Sequence, residues 1–351
     1  AERACAEAVA RELRTMGLDV EEDGAAPATG AECGNLLARI PGRGDRTIML
    51  CAHLDTVPEA GTIEPVVDDG AWVSAGDTIL GADNKAAVAV ILEVARRCAI
   101  EGSPVGLELL FTVSEENALA GAKAFDATTL NSDWGYVFDH ASPIGEIIVA
   151  APTYYRFEAN FRGTPAHAGI RPQDGRSAIE AAARAIGAMR LGRIDEQTTT
   201  NVGRIEGGQA GGTNIVAARC TVVGEARSLD PRRAEDTIAE IIAHIHDAAN
   251  TPACFCDVDV ITERLFDGYR HAAGAPAVLA AEDALRACGY RPTRRSTGGG
   301  SDANAFEANG LHCTNLANGT ERNHEPDERV SVAALESMLD VTFALLDACS
   351  A

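Results

Sequence analysis

The sequence predicts an α/β fold, a mixed sheet flanked by helices and interrupted by an inserted ferredoxin-like α+β domain. Short apolar runs alternate with helical patterns of roughly ten or more residues in the first part of the chain, as in a sheet with substantial parallel pairing. Past residue 151 the order becomes strand, helix, strand, strand, helix, strand, the split β-α-β arrangement of a ferredoxin-like unit. From residue 264 the α/β pattern resumes. The expected organisation is therefore a large domain built from 1–151 and 264–351, with a smaller domain, 152–263, set between them. A length of 351 residues and a hydrophobic content of 46% suit two globular domains.

A helical pattern covers residues 1–16, and because it is already under way at Ala1 we expect further residues before it in the natural protein. Strands are expected at 35–40 and at the strongly apolar 47–52, then a long helix at 84–98, then strands at 107–114 and 135–138, with the pattern changing after 145–151. In the inserted domain the strands fall at 154–161, 199–206, 215–227 and 256–262, with helices at 176–190 and 232–248. A helix at 275–288, a strand at 311–316 and a terminal helix at 332–348 complete the large domain. No internal repeat or low-complexity tract is found.

Composition excludes several classes. Net charge is −22 with no run of Lys or Arg, so nucleic acid is not an expected partner. No apolar run reaches the roughly 18 residues of a membrane span, so no membrane partner is expected. The ten cysteines are scattered without a CxxC pair, and they suggest reduced thiols in a cytoplasmic protein.

Four polar clusters sit where the expected strands of the large domain stop. His53 and Asp55 follow 47–52, Glu115 and Glu116 follow 107–114, Asp139 and His140 follow 135–138, and the loop after 311–316 leads to His324. The carboxyl ends of strands form the ligand-binding edge of an open α/β sheet, so these clusters can converge in one crevice. Each also has an ordinary structural role open to it. His53 can be a strand-end histidine capped by Asp55, Asp83 an N-cap for the following helix, and the glutamate pair an acidic helix start. Together they supply imidazole nitrogens and carboxylate oxygens, the donor set of zinc and related divalent ions. An imidazole ligand needs an acceptor on its other nitrogen, which Asp55 offers to His53. Adjacent glutamates in a crevice repel unless cations or a shared proton offset them.

The combination is more specific than its parts. His53-Leu54-Asp55-Thr56-Val57-Pro58, Gly81-Ala82-Asp83-Asn84-Lys85, Glu115-Glu116, Asp139, and Gly299-Gly300-Ser301-Asp302-Ala303-Asn304 followed by His324 resemble the M20 metallopeptidase family, nearest its peptidase T-like branch. The likeness spans nearly the whole chain. It implies a zinc-peptidase-like sheet with the inserted domain as a lid, and two Zn2+ ions per subunit, with Co2+ or Mn2+ as substitutes. By the same resemblance Asp83 bridges the two metals, His53 and Asp139 hold one, Glu116 and His324 hold the other, and the Asp83–Asn84 peptide is cis. Asp55 would orient His53, and Glu115 would be the general base acting on a metal-bridged hydroxide.

In the lid, Thr164-Pro165-Ala166-His167-Ala168-Gly169 resembles the family segment whose histidine reaches the substrate, often from a partner subunit. Gly212-Thr213-Asn214 and Glu225-Ala226-Arg227 match substrate-contacting positions. His167, Asn214, Arg227 and the backbone around Gly300 are thus expected to bind substrate, and the chain is expected to form a homodimer through the lid. The Gly298-Gly299-Gly300 loop lacks the GxxxxGK[ST] pattern of a phosphate loop.

The leading expectation is a dizinc peptidase of short peptides, aminopeptidase- or tripeptidase-like, because in the family an aspartate at the position of Asp139 accompanies such activities. The alternative on the same scaffold is an N-acyl amino acid amidohydrolase or carboxypeptidase. A catalytically inactive metal-dependent peptide-binding protein is the alternative of another class, and the presence of Glu115 with every ligand position argues against it. A two-metal phosphodiesterase would need basic phosphate clamps, which the sequence lacks.

Overall fold

The protein is described by a computed structural model covering residues 2–59, 61–209 and 212–350. The chain divides into two compact units, one built from residues 1–150 and 269–351, the other from 151–268.

In the first unit the apolar run expected at 47–52 becomes the strand Thr47–His53, buried at every position after the first. It pairs in parallel with Gly106–Thr112 on one side and Trp134–His140 on the other, and Cys313–Ala317 joins Trp134–His140, also in parallel. Strands buried on both faces carry continuous apolar sequence, and Gly106–Thr112 is buried along its whole length. Leu36–Ile40 runs antiparallel to Gly106–Thr112, so the sheet is mixed. The helices Ala82–Glu101 and Val332–Ser350 pack on each other, and Pro276–Ala287 packs on Val332–Ser350. Leu50, Ile91, Phe111, Tyr136 and Leu345 lie in the shared core. Each such large side chain contributes about 1.5–3 kcal/mol on burial.

Several elements lie outside the sequence expectations. Thr320–Glu321, Arg329–Ser331, Ala71–Ser74 and Pro65–Asp68 form a small sheet in that order. His324 therefore sits in the loop of a hairpin, between Thr320–Glu321 and its antiparallel partner Arg329–Ser331. Strands of two to four residues are too short to show a period of two. The initial helix runs Glu2–Thr15, and the expected start at Ala1 lies outside the described residues.

The second unit is a five-stranded antiparallel sheet in the order Gly192–Arg193, Thr198–Gly207, Arg219–Ser228, Thr153–Arg162, Asp257–Phe266. Its four long strands with the helices Ala178–Ala188 and Pro231–Ala249 give the ferredoxin-like order. Phe157, Ala159 and Phe161, alternate residues of one strand, meet Ala182, Ile238 and Ile245 of the helices in a separate core. Ser177 caps the first helix at Glu180 N, and Asp230 caps the second at the amides of Arg232 and Arg233, with Pro231 in its first turn. The strand expected at 215–227 begins only at Arg219. Its first apolar residues are used elsewhere, since Val216 N bonds Ala166 O at 2.9 Å and Ile215 bridges His167.

Among the described residues no helix is long and apolar enough to cross a membrane.

Candidate metal centre

The parallel strands deliver their last residues to one edge. His53 ends its strand with a side chain only 1% exposed. Its Nδ1 lies 3.2 Å from the Asp55 carbonyl oxygen and 3.3 Å from Asp55 Oδ1, which assigns the proton to Nδ1. Nε2 then faces Asp83 Oδ1 at 3.2 Å and Asp139 Oδ1 at 3.7 Å. A ring nitrogen aimed at two carboxylates is repelled unless a proton or cation lies between them. On the other side of Asp83, His324 Nε2 is 3.3 Å from Asp83 Oδ2 and 2.8 Å from Glu116 Oε1. Asp83 thus presents one oxygen to each histidine. Among the described residues three groups have donor atoms within 4.8 Å of one another: His53, Asp83 and Asp139; Asp83, Glu116 and His324; and His53, Glu115 and Glu116.

Backbone clamps set these positions. The Asp83–Asn84 peptide is cis, and Asp83 has φ −81° and ψ 101°, outside the helical region. Asp83 does not spend its carboxylate on capping the helix that follows, since both of its oxygens face histidines. Asp55 does more than orient His53, because its two oxygens accept from the amides of Glu115 and Glu116, each at 3.0 Å. The glutamate pair lies in a turn between Gly106–Thr112 and the short helix Ala120–Ala124. That turn is closed by Asn35, whose amide donates to Gly121 O and whose Oδ1 accepts from Val113 N, both at 3.0 Å. At Gly121 a Cβ would stand 2.0 Å from Val113 O, so only glycine fits. Asn315, on the neighbouring strand, exchanges a pair of 3.0 Å hydrogen bonds with the backbone of Asp139.

The electrostatics follow from crowding acids in a buried space. Burial, then repulsion from Asp83, pushes the Asp139 carboxyl up to about 8. Burial and the Asp139 charge raise Glu115 well above the usual carboxylate range. Burial opposes a charge on His53, yet its hydrogen bonds to Asp139, Asp55 and Asp83 outweigh this and raise its pKa well above the ordinary value. Hydrogen bonds to Asp83 and Glu116 raise His324 to about 10. Protons are thus held wherever acids and imidazoles meet, and a divalent cation competes for the same lone pairs. Two nitrogens and several carboxylate oxygens at these distances fit zinc or a related divalent ion.

Residues 49–348 match the family described as Peptidase family M20/M25/M40. The chain belongs to that family. An aminopeptidase PepT from Bacillus cereus is 37% identical, with 99% of this chain and 92% of that one covered at a TM-score of 0.88. A tripeptidase from Staphylococcus aureus is 32% identical over 98% of this chain and 92% of its own, at a TM-score of 0.92. The Bacillus subtilis YxeP protein, at 17% identity, covers 97% of this chain and 90% of its own and shares the fold at a TM-score of 0.72.

This M20 peptidase carries its remaining expected residues in two places. Gly300 lies in the first unit, just before Ser301, which opens the helix Asp302–Ala308 with a capping box to Asn304. His167, Asn214 and Arg227 belong to the second unit. Asn214 and His167 are close there, since Ala168 N donates to Asn214 O at 2.8 Å, and His167 Nδ1 accepts from Gly169 N at 3.2 Å. Arg227 directs Nε and Nη2 at Glu225, at 3.0 and 3.2 Å, and stacks 4.0 Å above the Tyr154 ring. Asn35, Asn315 and Glu328, which hold the backbone of the centre, were not singled out in the sequence. The buried Asp302 lies inside the quoted Gly299–Asn304 motif but was given no role of its own; it accepts from Thr112 at 2.5 Å and has its carboxyl pushed up to about 6 by burial.

Because Asp55 fixes both the His53 ring and the two glutamate amides, Asp55→Ala should weaken zinc binding by about 10- to 100-fold. Titrating zinc into metal-stripped protein against a chromophoric chelator measures this, and wild-type affinity in a folded variant would remove Asp55 from the support of the centre.

Proposed function

We propose that the protein is a dizinc peptidase that releases residues from the amino end of short peptides, in the manner of an aminopeptidase or tripeptidase. The observation that carries it is the pair of donor groups sharing Asp83, with Glu115 beside one member of each, His53 and Glu116. In this reading His53 and Asp139 with Asp83 hold one ion, and Glu116 and His324 with Asp83 hold the other. Two bound cations would polarise the scissile carbonyl and acidify water. Hydrolysis puts the water oxygen on the carbonyl carbon and a proton on the leaving nitrogen as the C–N bond breaks. Glu115 takes that proton from water and passes it to the amine, since its backbone is fixed by Asp55 and its carboxylate is in neither group that shares Asp83. The names of the PepT and tripeptidase neighbours support peptides as substrates, and YxeP is described as a dinuclear metal binding peptidase. Ten cysteines without a disulfide among them support a reducing, cytoplasmic setting.

Glu115→Gln should lower kcat by about 100- to 10,000-fold while both metal equivalents remain, because it removes a base and no ligand. Elemental analysis beside single-turnover kinetics on a tripeptide checks this, and loss of metal from the variant would overturn the division of roles between Glu115 and Glu116.

In this proposal Arg227 binds the substrate's terminal carboxylate. The Nε–Nη2 edge already faces Glu225, so a substrate carboxylate would compete with Glu225 for the guanidinium. Amidating the carboxyl end of a good tripeptide should cost about 1.5–3 kcal/mol in kcat/KM. Equal efficiency for acid and amide would take Arg227 out of the site.

We further propose a homodimer formed through the second unit, with His167 serving the partner's active site. Asp257–Phe266 is an edge strand with Ile261 53% exposed, which supports a two-fold contact. His167→Ala should reduce kcat by about 100- to 1000-fold. Mixing Glu115→Gln with His167→Ala subunits should restore part of the activity, and no recovery after proven subunit exchange would refute the shared site.

A further inference from the structure

Glu328 is 1% exposed and accepts three backbone hydrogen bonds, from Leu80 N at 2.8 Å, Gly81 N at 2.7 Å and Asp83 N at 2.8 Å. These amides belong to the turn that leads into the helix Ala82–Glu101, where Asp83 and Asn84 have non-helical φ/ψ and Gly81 is left-handed with no side chain to cap it. Buried backbone N–H groups in such a turn need acceptors. Glu328 supplies them from the far end of the sequence. It also lies in the hairpin loop that carries His324, where Glu328 N donates to Glu325 O at 3.0 Å. One carboxylate therefore joins the turn bearing Asp83 to the loop bearing His324.

The two histidines of the centre are held very differently. His53 is embedded in the sheet. The His324 side chain is 48% exposed, its φ is +68°, and its ring meets Asp83 and Glu116. A non-glycine residue in the left-handed region keeps that conformation only where its surroundings impose it. The Arg322–Asp327 ion pair closes the loop on itself, yet it fixes nothing relative to Asp83. The Glu328 bonds do.

We propose that Glu328 is a positioning residue of the binuclear centre, which holds the His324 loop and the Asp83 turn at the spacing that lets both ligate the same ion. The inference rests on the metal-centre reading above. It assigns Glu328 no contact with substrate or with the reacting atoms. Its competitor is a purely structural role, in which Glu328 satisfies the amides of the turn, adds stability and leaves the ligands where they are.

The test uses the full-length, metal-stripped protein, titrated with zinc against a chromophoric chelator, with circular dichroism and thermal melting recorded on the same samples. Wild type should take up two equivalents. If it does not, the metal-centre reading fails, and Glu328 has not been the cause. Glu328→Gln keeps the shape but places an amide NH2 against backbone N–H groups. Its affinity for one equivalent should fall by about 10- to 100-fold in a protein that remains folded. Glu328→Asp, which keeps the charge one methylene further back, should lie between Gln and wild type. As a control for lost capping alone, Asp230→Ala removes the cap of Pro231–Ala249 in the second unit, and it should lower Tm without moving zinc affinity. Wild-type affinity for both equivalents in Glu328→Gln, whatever its Tm, would overturn the proposal. Should the Gln variant not fold, Glu328→Asp decides, and wild-type affinity there overturns the proposal equally.

Discussion

The structure is organised around one electrostatic problem, the burial of acidic side chains side by side. Asp83, Glu115 and Asp302 are buried at one edge of the sheet and Asp139 nearly so, where the usual screening by water is lost. Coulomb repulsion at such separations amounts to several kcal/mol in a medium of low dielectric, more than any single packing contact returns. The cluster persists because protons, imidazoles and donor groups offset its charge. For Asp83 the partners are His53 and His324, which hold it below the ordinary carboxylate range although burial acts the other way. Divalent cations bound there would relieve the same repulsion, so the electrostatic demand and the proposed chemistry favour the same residues.

Such a cluster has to be held by the backbone, since its side chains would otherwise relax apart. Its clamps share one device, an uncharged or fully bonded side chain that grips peptide groups of a neighbouring segment. Asn315 grips Asp139, Asn35 grips the turn after Thr112, and Asp55 grips the amides of Glu115 and Glu116. Gripping peptide groups leaves the ligand oxygens free to face inward. It also divides the sequence into residues that act and residues that aim. The parallel sheet supplies the coarse placement and these bonds the fine one.

That division accounts for what could be read in the sequence. Strand-end clusters were legible because apolar runs such as 47–52 stop abruptly at His53, and a polar side chain at the carboxyl end of a buried strand is costly to keep unless a partner or ligand meets it there. The ferredoxin-like order was legible because long strands and helices of the second unit keep clear periods. The aiming residues were not. Asn35 and Asn315 look like ordinary strand residues, and the bonds from Glu328 span 245 to 248 positions. The hairpin that carries His324 has strands of two and three residues, below the length at which alternation can be seen. Residues 215–218 misled for a different reason: Ile215 and Val216 have strand composition, but they pair with the loop at 166–168 and not with the sheet.

The centre is consequently asymmetric. Its His53 side inherits rigidity from the mixed sheet, where moving one ligand would mean moving a strand bonded on both sides. Its His324 side hangs on the loop of a short hairpin, whose strands pair through Thr320–Val330 and Glu321–Arg329 and whose second strand pairs with Ala71–Ser74. Such pairing fixes the base of the loop and leaves its tip short of the few tenths of an ångström that coordination requires. The missing constraint has to tie the loop to a segment beyond the hairpin, and it has to act on Asp83 as well, because Asp83 is the residue both halves share. A carboxylate anchored in the His324 loop and bonded to the Asp83 amide meets both conditions, and among the described residues that place is taken by Glu328.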